Sequence, residues 1–125
     1  MSKETVVAPT PSAQLARQIA QVALEKKATE VRILDLRNIT SITDFFVICS
    51  GSVAQHVKAI VDTIEERLRP ANRPWHIEGY QNLTWVLMDY VDVVVHVFQP
   101  ETRAYYNLER LWADAPVEII EDDRA

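Results

Sequence analysis

Two apolar runs joined by the connection DYVD constrain the fold of this chain more strongly than any other feature. The first run, TWVLMD, begins at Thr84, and the second, DVVVHVF, ends at Phe98. Short apolar runs rich in β-branched and aromatic residues are typical of strands, and a tight turn between two of them predicts an antiparallel hairpin. At least one face of this hairpin has to be covered by helices from the rest of the chain.

Two further strands and three helices are predicted around the hairpin. EVRILDL (residues 30–36) and DFFVICS (44–50) have the continuous apolar character of strands buried on both sides. Helical spacing of apolar residues predicts a first helix with Ser12 as its N-cap and a second that ends before Pro70. A third helix is expected to begin at Pro100. One side of this third helix carries Tyr105, Leu108, Leu111 and Trp112.

The predicted order is α, β, β, α, β, β, β, α, with a short strand in the loop NRPWHIEGY. Helices that interleave with buried strands predict an α/β fold, a two-layer sandwich in which helices pack on a mixed β-sheet. We expect a disordered N-terminal segment over residues 1–11, a single domain over 12–115 and an acidic C-terminal tail over 116–125.

Composition excludes several classes of protein. The single cysteine, Cys49, excludes an intramolecular disulfide framework and a cysteine-rich zinc site, and it is expected to be a small buried hydrophobic residue. A net charge of −5 argues against direct DNA binding, which depends on Lys and Arg that neutralise phosphates, and suits a basic protein partner. The chain shows no signal peptide or membrane span, so a cytoplasmic protein is expected.

Asp89 and Asp92 have two interpretations. They could face one another across a two-residue turn and bind a metal ion, although the metal-binding acids of nucleotidyltransferases lie at i and i+2 on one strand. Alternatively, Asp89 accepts a turn N–H and Asp92 fixes the start of the next strand, which we favour. The SGS sequence that ends at Ser52 could likewise hold a phosphate, but the spacing of Ser52 and Gln55 favours a helix capping box.

The sequence offers few candidate catalytic residues. His56, His76 and His96 do not pair at ligand spacing, and no Ser-His-Asp order or paired carboxylates stand out. His96, inside the apolar run VVVHVF, is expected to be a hydrogen-bonded residue of the core or sheet edge. We therefore expect no catalytic residues, no cofactor and no metal.

Trp85 is the strongest candidate for a binding residue, because tryptophan is enriched at binding hot spots. On a strand, Trp85, Leu87 and Asp89 point to one face, and the residues between them point to the other. If the first face is open, a Trp-Leu patch rimmed by Asp89 and Asp92 suits a basic, partly apolar partner. From these residues alone, a core aromatic is an equally good interpretation of Trp85.

Three longer segments resemble the ribosomal silencing factor (Iojap-related) family. They are SITDFFVICSG (residues 41–51), the pattern W-x-L-x-D-x-x-D-V-V-V-H-V-F (85–98) and R-x-Y-Y-x-L-E-R-L-W (103–112). The likeness covers residues 12 to 115. It implies a nucleotidyltransferase-like fold without the metal-binding acids of those enzymes.

The resemblance also implies a non-enzymatic translational repressor. Such a protein binds the large ribosomal subunit through its universal ribosomal protein number fourteen, blocks joining with the small subunit, and is commonly a homodimer when free. The positions that match the docking region of the family are Trp85, Leu87, Asp89, Tyr90 and Asp92. The alternative is a small metal-dependent nucleotidyltransferase or nucleotide-binding enzyme that uses Ser52, Asp89 and Asp92.

This chain departs from the family at Val91, where the family usually has glycine. Glycine at this position suggests a turn with positive φ, which a β-branched residue resists by roughly 1–2 kcal/mol. Val91 therefore predicts either a type I turn with negative φ or a strained hairpin.

Overall fold

The computed structural model describes residues 10–121 as one mixed sheet with helices packed on it, an α/β fold. The elements are α1 (Pro11–Glu25), β1 (Thr29–Asp35), β2 (Phe45–Ser50), α2 (Ala54–Leu68), β3 (His76–Glu78), β4 (Trp85–Asp89), β5 (Val93–Phe98), α3 (Pro100–Tyr106), α4 (Leu108–Leu111) and β6 (Val117–Ile120). No helix within residues 10–121 is both long and apolar enough to cross a membrane.

The six strands lie in the order β3-β4-β5-β2-β1-β6. β2 and β5 are parallel neighbours, and the other pairs are antiparallel, including the predicted β4–β5 hairpin. α2 follows β2 and crosses the sheet before β3, β4 and β5, since parallel strands cannot be joined by a tight turn. The continuous apolar runs of β2 and β5 therefore form the middle of the sheet.

The two faces of the sheet are covered unequally. α1 and α2 pack on one face and form the larger apolar core through the stripes that the sequence predicts, including Ile19 on α1 and Ile60 on α2. The opposite face holds a smaller cluster around Ile48 and Phe98, against which Trp85 and Trp112 are partly buried. We call this second face the open face, because α3 and α4 are the only helices of residues 10–121 that lie near it, and both are short.

Both predicted helix caps are wrong. Thr10 caps α1 by accepting the N–H of Ala13 at 3.1 Å. Pro11 follows at the first helical position, where the fixed φ of proline suits the helix. Ser12 is instead buried and donates to the Asp44 carboxylate at 2.8 Å. The start of α2 has Val53 at the N-cap position with no side-chain hydrogen bond, so Ser52 and Gln55 do not form a capping box.

The predicted third helix is two short helices. α3 ends at Asn107, which adopts a left-handed backbone (φ 49°) and donates its N–H to the Arg103 carbonyl. Asparagine tolerates this conformation, which ends a helix and redirects the chain. The apolar periodicity continues into α4, so the sequence pattern predicted one uninterrupted helix.

The ends of the domain also differ from the predicted bounds. Residues 10 and 11, assigned to the disordered N-terminal segment, cap and begin α1. Residues 117–120, assigned to the acidic tail, form β6 and pair with β1 at the edge of the sheet. Residues 1–9 and 122–125, on which the rest of those two predictions fall, lie outside the described part of the chain.

Candidate docking surface

β4 divides its side chains between the two faces as the alternation predicts. Val86 and Met88 are fully buried in the larger core, and Trp85 and Leu87 are half-buried on the open face. Tyr90 belongs to the first set: it is buried in the larger core, and burial raises the pKa of its hydroxyl to about 12. Tyr90 therefore does not lie on the surface formed by Trp85 and Leu87, contrary to its predicted place in the docking set.

Trp85 rests on an aromatic platform. Its ring stacks on Phe98 at a centroid distance of 4.8 Å and contacts Tyr106 of α3 at 4.9 Å. Phe98 lies directly opposite Trp85 in the β4–β5 ladder, and such cross-strand pairs of large rings stabilise a sheet. Trp85 is thus neither fully a core residue nor a free surface residue, because its inner side is packed and part of it stays exposed.

A hydrogen bond to His96 sets the orientation of the Trp85 indole. The indole N–H donates to Nδ1 of His96 at 3.1 Å, so the imidazole proton resides on Nε2. His96 is 3% exposed, and burial lowers its pKa to about 3. The imidazole is therefore neutral at physiological pH and can accept this hydrogen bond. The prediction that His96 is a hydrogen-bonded core residue is confirmed.

Gly79 fixes the loop that leads into β4. Its φ is +82°, and a Cβ atom added there would lie 2.0 Å from the carbonyl oxygen of Trp85. No other residue can occupy this position without moving the backbone of Trp85. The Thr84 carbonyl accepts the N–H of Gln99, which continues the β4–β5 pairing up to this loop.

Arg103 anchors α3 and α4 to the sheet. It is 9% exposed, and one amino group donates to the carbonyl of Glu30 and to Oγ of Ser50, each at 2.9 Å. Its other two nitrogens form a bidentate pair with the Glu109 carboxylate at 3.2 and 2.7 Å. Because Arg103 and Tyr106 share α3, this anchor also holds the Tyr106 ring against Trp85.

The two acids of the DYVD turn lie in different places, Asp89 at the end of β4 and Asp92 in the turn itself. Asp89 lies opposite Val94 in the ladder, and its Oδ1 accepts the N–H of Val91 at 2.8 Å, the Asx arrangement that the sequence favours. Asp92 lies within the turn, so the two carboxylates do not face one another across a cross-strand pair. The carbonyl of Asp92 accepts the N–H groups of Asp44 and Phe45, which fixes the starts of β2 and β5 next to each other.

Val91 adopts the strained alternative. Its φ is +75°, and the N–H of Asp92 donates to the Tyr90 carbonyl, which closes a three-residue γ-turn around Val91. A β-branched residue in this region carries a conformational cost of roughly 1–2 kcal/mol.

Ser52, one of the residues proposed for nucleotide binding, is engaged with His56. The N–H of Ser52 donates to Nδ1 of His56 at 2.8 Å, and Nε2 of that ring contacts the Lys26 carbonyl. Within residues 10–121, no three His, Cys, Asp or Glu side chains come together as a set of metal ligands. Cys49 is fully buried, as predicted, and burial raises the pKa of its thiol to about 12.

The sequence did not reveal the supporting residues of the Trp85 platform. Phe98 and His96 become its neighbours only through the register of β4 against β5. Arg103 gave no signal of its role, because it lies away from the predicted apolar side of the third helix, and Glu109 follows six residues later. That spacing does not match the three- or four-residue step of a helical pair, and the break at Asn107 brings the two side chains together.

Fold and surface together define a class: a small α/β protein whose candidate site is an aromatic surface rimmed by carboxylates. The family model described as "Ribosomal silencing factor during starvation" matches residues 9–125. The ribosomal silencing factor of Halalkalibacterium halodurans is 44% identical over 98 residues, which cover 78% of this chain and 84% of that protein. This chain belongs to the ribosomal silencing factor family.

Two more distant comparisons agree with this membership. A crystal structure of a protein from Chromobacterium violaceum matches with a TM-score of 0.80 and 28% identity, over 83% of this chain and 88% of that one. The mouse protein named "Mitochondrial assembly of ribosomal large subunit protein 1" is 32% identical over 92 residues, which cover 70% of this chain and 40% of that protein. The proteins that carry the family name are regulatory factors.

Proposed function

We propose that this protein binds the large ribosomal subunit through its universal ribosomal protein number fourteen and sterically blocks joining with the small subunit. It acts as a translational repressor through its bulk and not through a reaction. Family membership supports a ribosomal partner, and the name of the mouse relative refers to the large subunit.

The partly exposed, pre-oriented Trp85 is the observation that carries this proposal. The indole is packed on Phe98 and Tyr106 and hydrogen-bonded to His96, so it loses little conformational freedom when a partner covers its open side. Large aromatic residues held in this way are typical binding hot spots. Trp85 therefore supplies the apolar anchor of the docking surface.

Carboxylates around this anchor select a basic partner. Asp89 lies on the open face two residues beyond Leu87, and the exposed Asp92 follows in the turn. Negative charge at the rim of an interface attracts a basic surface and disfavours an acidic one. Trp85, Leu87, Asp89 and Asp92 form the docking set that we propose, and buried Tyr90 supports it from the core.

Steric blocking places a modest demand on affinity. An interface of about 1,600 Å² with a few aromatic anchors can give nanomolar to micromolar binding. Occupancy of the subunit-joining face is then sufficient. We also propose that the protein acts in the cytoplasm, where bacterial ribosomes work, and that it is a homodimer when free.

The test is co-sedimentation with isolated large subunits. Trp85→Ala is expected to weaken binding by at least about 30-fold, the equivalent of a hot spot of about 2 kcal/mol, because the anchor is removed. Binding at the wild-type level by a folded Trp85→Ala protein would refute the docking assignment.

Trp112→Ala is the matched control. Trp112 is a half-buried indole in the same apolar cluster as Trp85, but it packs against Phe46 at 5.7 Å. Its removal costs comparable packing, so equal loss of binding in both variants would indicate general destabilisation instead of a lost contact. The expected result is that Trp112→Ala keeps most of its affinity.

The rival nucleotidyltransferase activity has its own test. It requires metal-dependent nucleotide binding that is lost in Asp89→Asn. Calorimetry with magnesium or manganese and each nucleoside triphosphate is expected to show no heat of binding, and a saturable signal would revive the rival.

A further inference from the structure

β6 (Val117–Ile120) is an edge strand with exposed apolar side chains. It is the last strand of the sheet, and among residues 10–121 it pairs with β1 alone. Val117 and Ile119, which share one face of the strand, are 52% and 55% exposed. β6 contains none of the lysine, proline or bulge that commonly protects such an edge, so it is suited to pair with a further strand.

The backbone of β6 presents a row of hydrogen-bonding groups to the outside. The N–H of Asp35 donates to the carbonyl of Pro116 at 2.9 Å, so the even-numbered residues of this segment direct their backbone groups at β1. In an antiparallel ladder this direction alternates from one residue to the next. Val117, Ile119 and Glu121 therefore direct their N–H and C=O groups away from the sheet.

The space beside this edge is open on the side of the helices. A groove of about 490 Å³ lies between α1 and β6, lined by Arg17 and Gln21 of α1 and by residues 118–121. Arg17 pairs with the Glu118 carboxylate at 3.0 Å and offsets its charge. α1 therefore leaves room for the side chains of another strand beside β6.

One register lets the β6 strands of two copies pair about a two-fold axis. If Ile119 lies opposite Ile119 of the second copy, the two residues exchange both of their outward hydrogen bonds. Val117 then lies opposite Glu121 of the second copy, again a pair with outward backbone groups, and Glu118 faces the apolar Ile120. The register that sets Val117 opposite Ile119 instead brings the two Glu118 carboxylates face to face, which is destabilising.

We propose that the free protein is a homodimer formed by antiparallel pairing of β6 with β6 of a second copy. The two six-stranded sheets become one, and the exposed Ile119 side chains meet at the two-fold axis, where their burial adds to the backbone hydrogen bonds. This inference rests on the proposed homodimer and assigns its interface. Three strands separate β6 from β4, so the Trp85 surface of each copy stays open in this dimer.

Sedimentation equilibrium of charge variants at position 119 tests the interface. The wild-type protein is expected to be a dimer. Ile119→Glu and Ile119→Lys are each expected to weaken dimerisation at least about tenfold, because like charges then meet at the axis. An equimolar mixture of these two variants is expected to restore the dimer, since the opposite charges lie across from one another only where residue 119 faces itself.

Ile119→Pro tests the backbone pairing separately. Proline removes the outward N–H of residue 119, and it is tolerated on an edge strand whose N–H faces solvent, so the bonds to β1 are kept. We expect a folded monomer, with the fold checked by circular dichroism.

Val53→Glu is the matched control, because Val53 is 58% exposed but lies at the start of α2, outside β6. It is expected to dimerise like the wild type. Wild-type dimerisation by folded Ile119→Glu and Ile119→Pro proteins would overturn the β6 interface, and so would a mixture of the Glu and Lys variants that stays monomeric. A monomeric wild-type protein would overturn the homodimer itself and leave the β6 edge to a strand of another protein.

Binding to large subunits separates this inference from the docking function. Ile119→Glu is expected to bind large subunits like the wild type, and Trp85→Ala is expected to remain a dimer. Loss of dimerisation in Trp85→Ala would place the interface at the docking surface and overturn the assignment to β6.

Discussion

The neutral imidazole of His96 links the core to the docking surface. It is covered by Phe46 at a ring distance of 4.5 Å and accepts the indole N–H of Trp85 through Nδ1. Its Nε2–H is buried and has no partner among residues 10–121. A buried donor without a partner destabilises the fold. Histidine at this position is explained by its other ring nitrogen, Nδ1, which accepts the indole N–H and thereby orients Trp85.

Burial of His96 predicts an acid-sensitive fold. Its pKa falls from 6.5 in the unfolded chain to about 3 in the folded protein, so the unfolded state binds more protons between these pH values. The stability from the neutral imidazole is fully present above pH 6.5 and is lost progressively as pH falls towards 3. We expect the free energy of unfolding to drop by about 2 kcal/mol between pH 7 and pH 5.

Urea denaturation at both pH values measures this drop, and His96→Asn separates its cause. The Asn side chain can still accept from the Trp85 indole but does not titrate, so the drop is expected to shrink while binding to large subunits is largely kept. An identical pH dependence in His96→Asn would show that other groups are responsible.

At the scale of elements, the α3–α4 segment depends on a partly buried ion pair. Arg103 joins this segment to β1 and β2, and Glu109 neutralises the guanidinium from α4. Removal of Arg103 leaves the Glu109 carboxylate without its partner, but this side chain is 32% exposed, so the cost is smaller than the about 3–5 kcal/mol of a fully buried pair. The exposed Arg110, on the same short helix as Glu109, carries no such role.

Arg103→Met is therefore expected to destabilise the protein by about 1–3 kcal/mol, and Arg110→Met by less than about 0.5 kcal/mol. Chemical denaturation measures both differences. If the two variants were equally stable, Arg103 would not be the anchor of α3 and α4.

Elements with strong apolar patterns were predictable, and those defined by a single residue or by pairing were not. The hairpin, β2 and α2 follow from runs and periodicity that local sequence carries. The break at Asn107 depends on one left-handed residue inside an otherwise periodic segment. β6 is only four residues long and becomes a strand because β1 offers it an edge. Pairing of distant segments is not encoded in local propensity.

The same division applies to the docking surface. Strict alternation along β4 placed Trp85 and Leu87 on one face, and it also placed Tyr90 on the other, although Tyr90 was predicted as a docking residue from the family resemblance. The contacts of Trp85 with His96 and Tyr106 depend on strand register and on the path of α3. Neither can be derived from spacing in the sequence.

At the scale of the whole molecule, the proposed docking function uses the unequal covering of the sheet. α1 and α2 stabilise one face, which leaves the open face for the Trp85 platform and its acidic rim. The net charge of −5 favours the encounter with a basic partner over long distance. In the proposed function, the bound domain then needs only to stay in place to exclude the small subunit.

A subunit-joining assay tests this account most directly. Purified large subunits are saturated with the protein, small subunits are added, and the fraction of joined ribosomes is measured by sedimentation. The account predicts that the wild-type protein lowers the joined fraction in proportion to its occupancy of the large subunit and that Trp85→Ala has little effect. An undiminished joined fraction at full occupancy by the wild-type protein would contradict it.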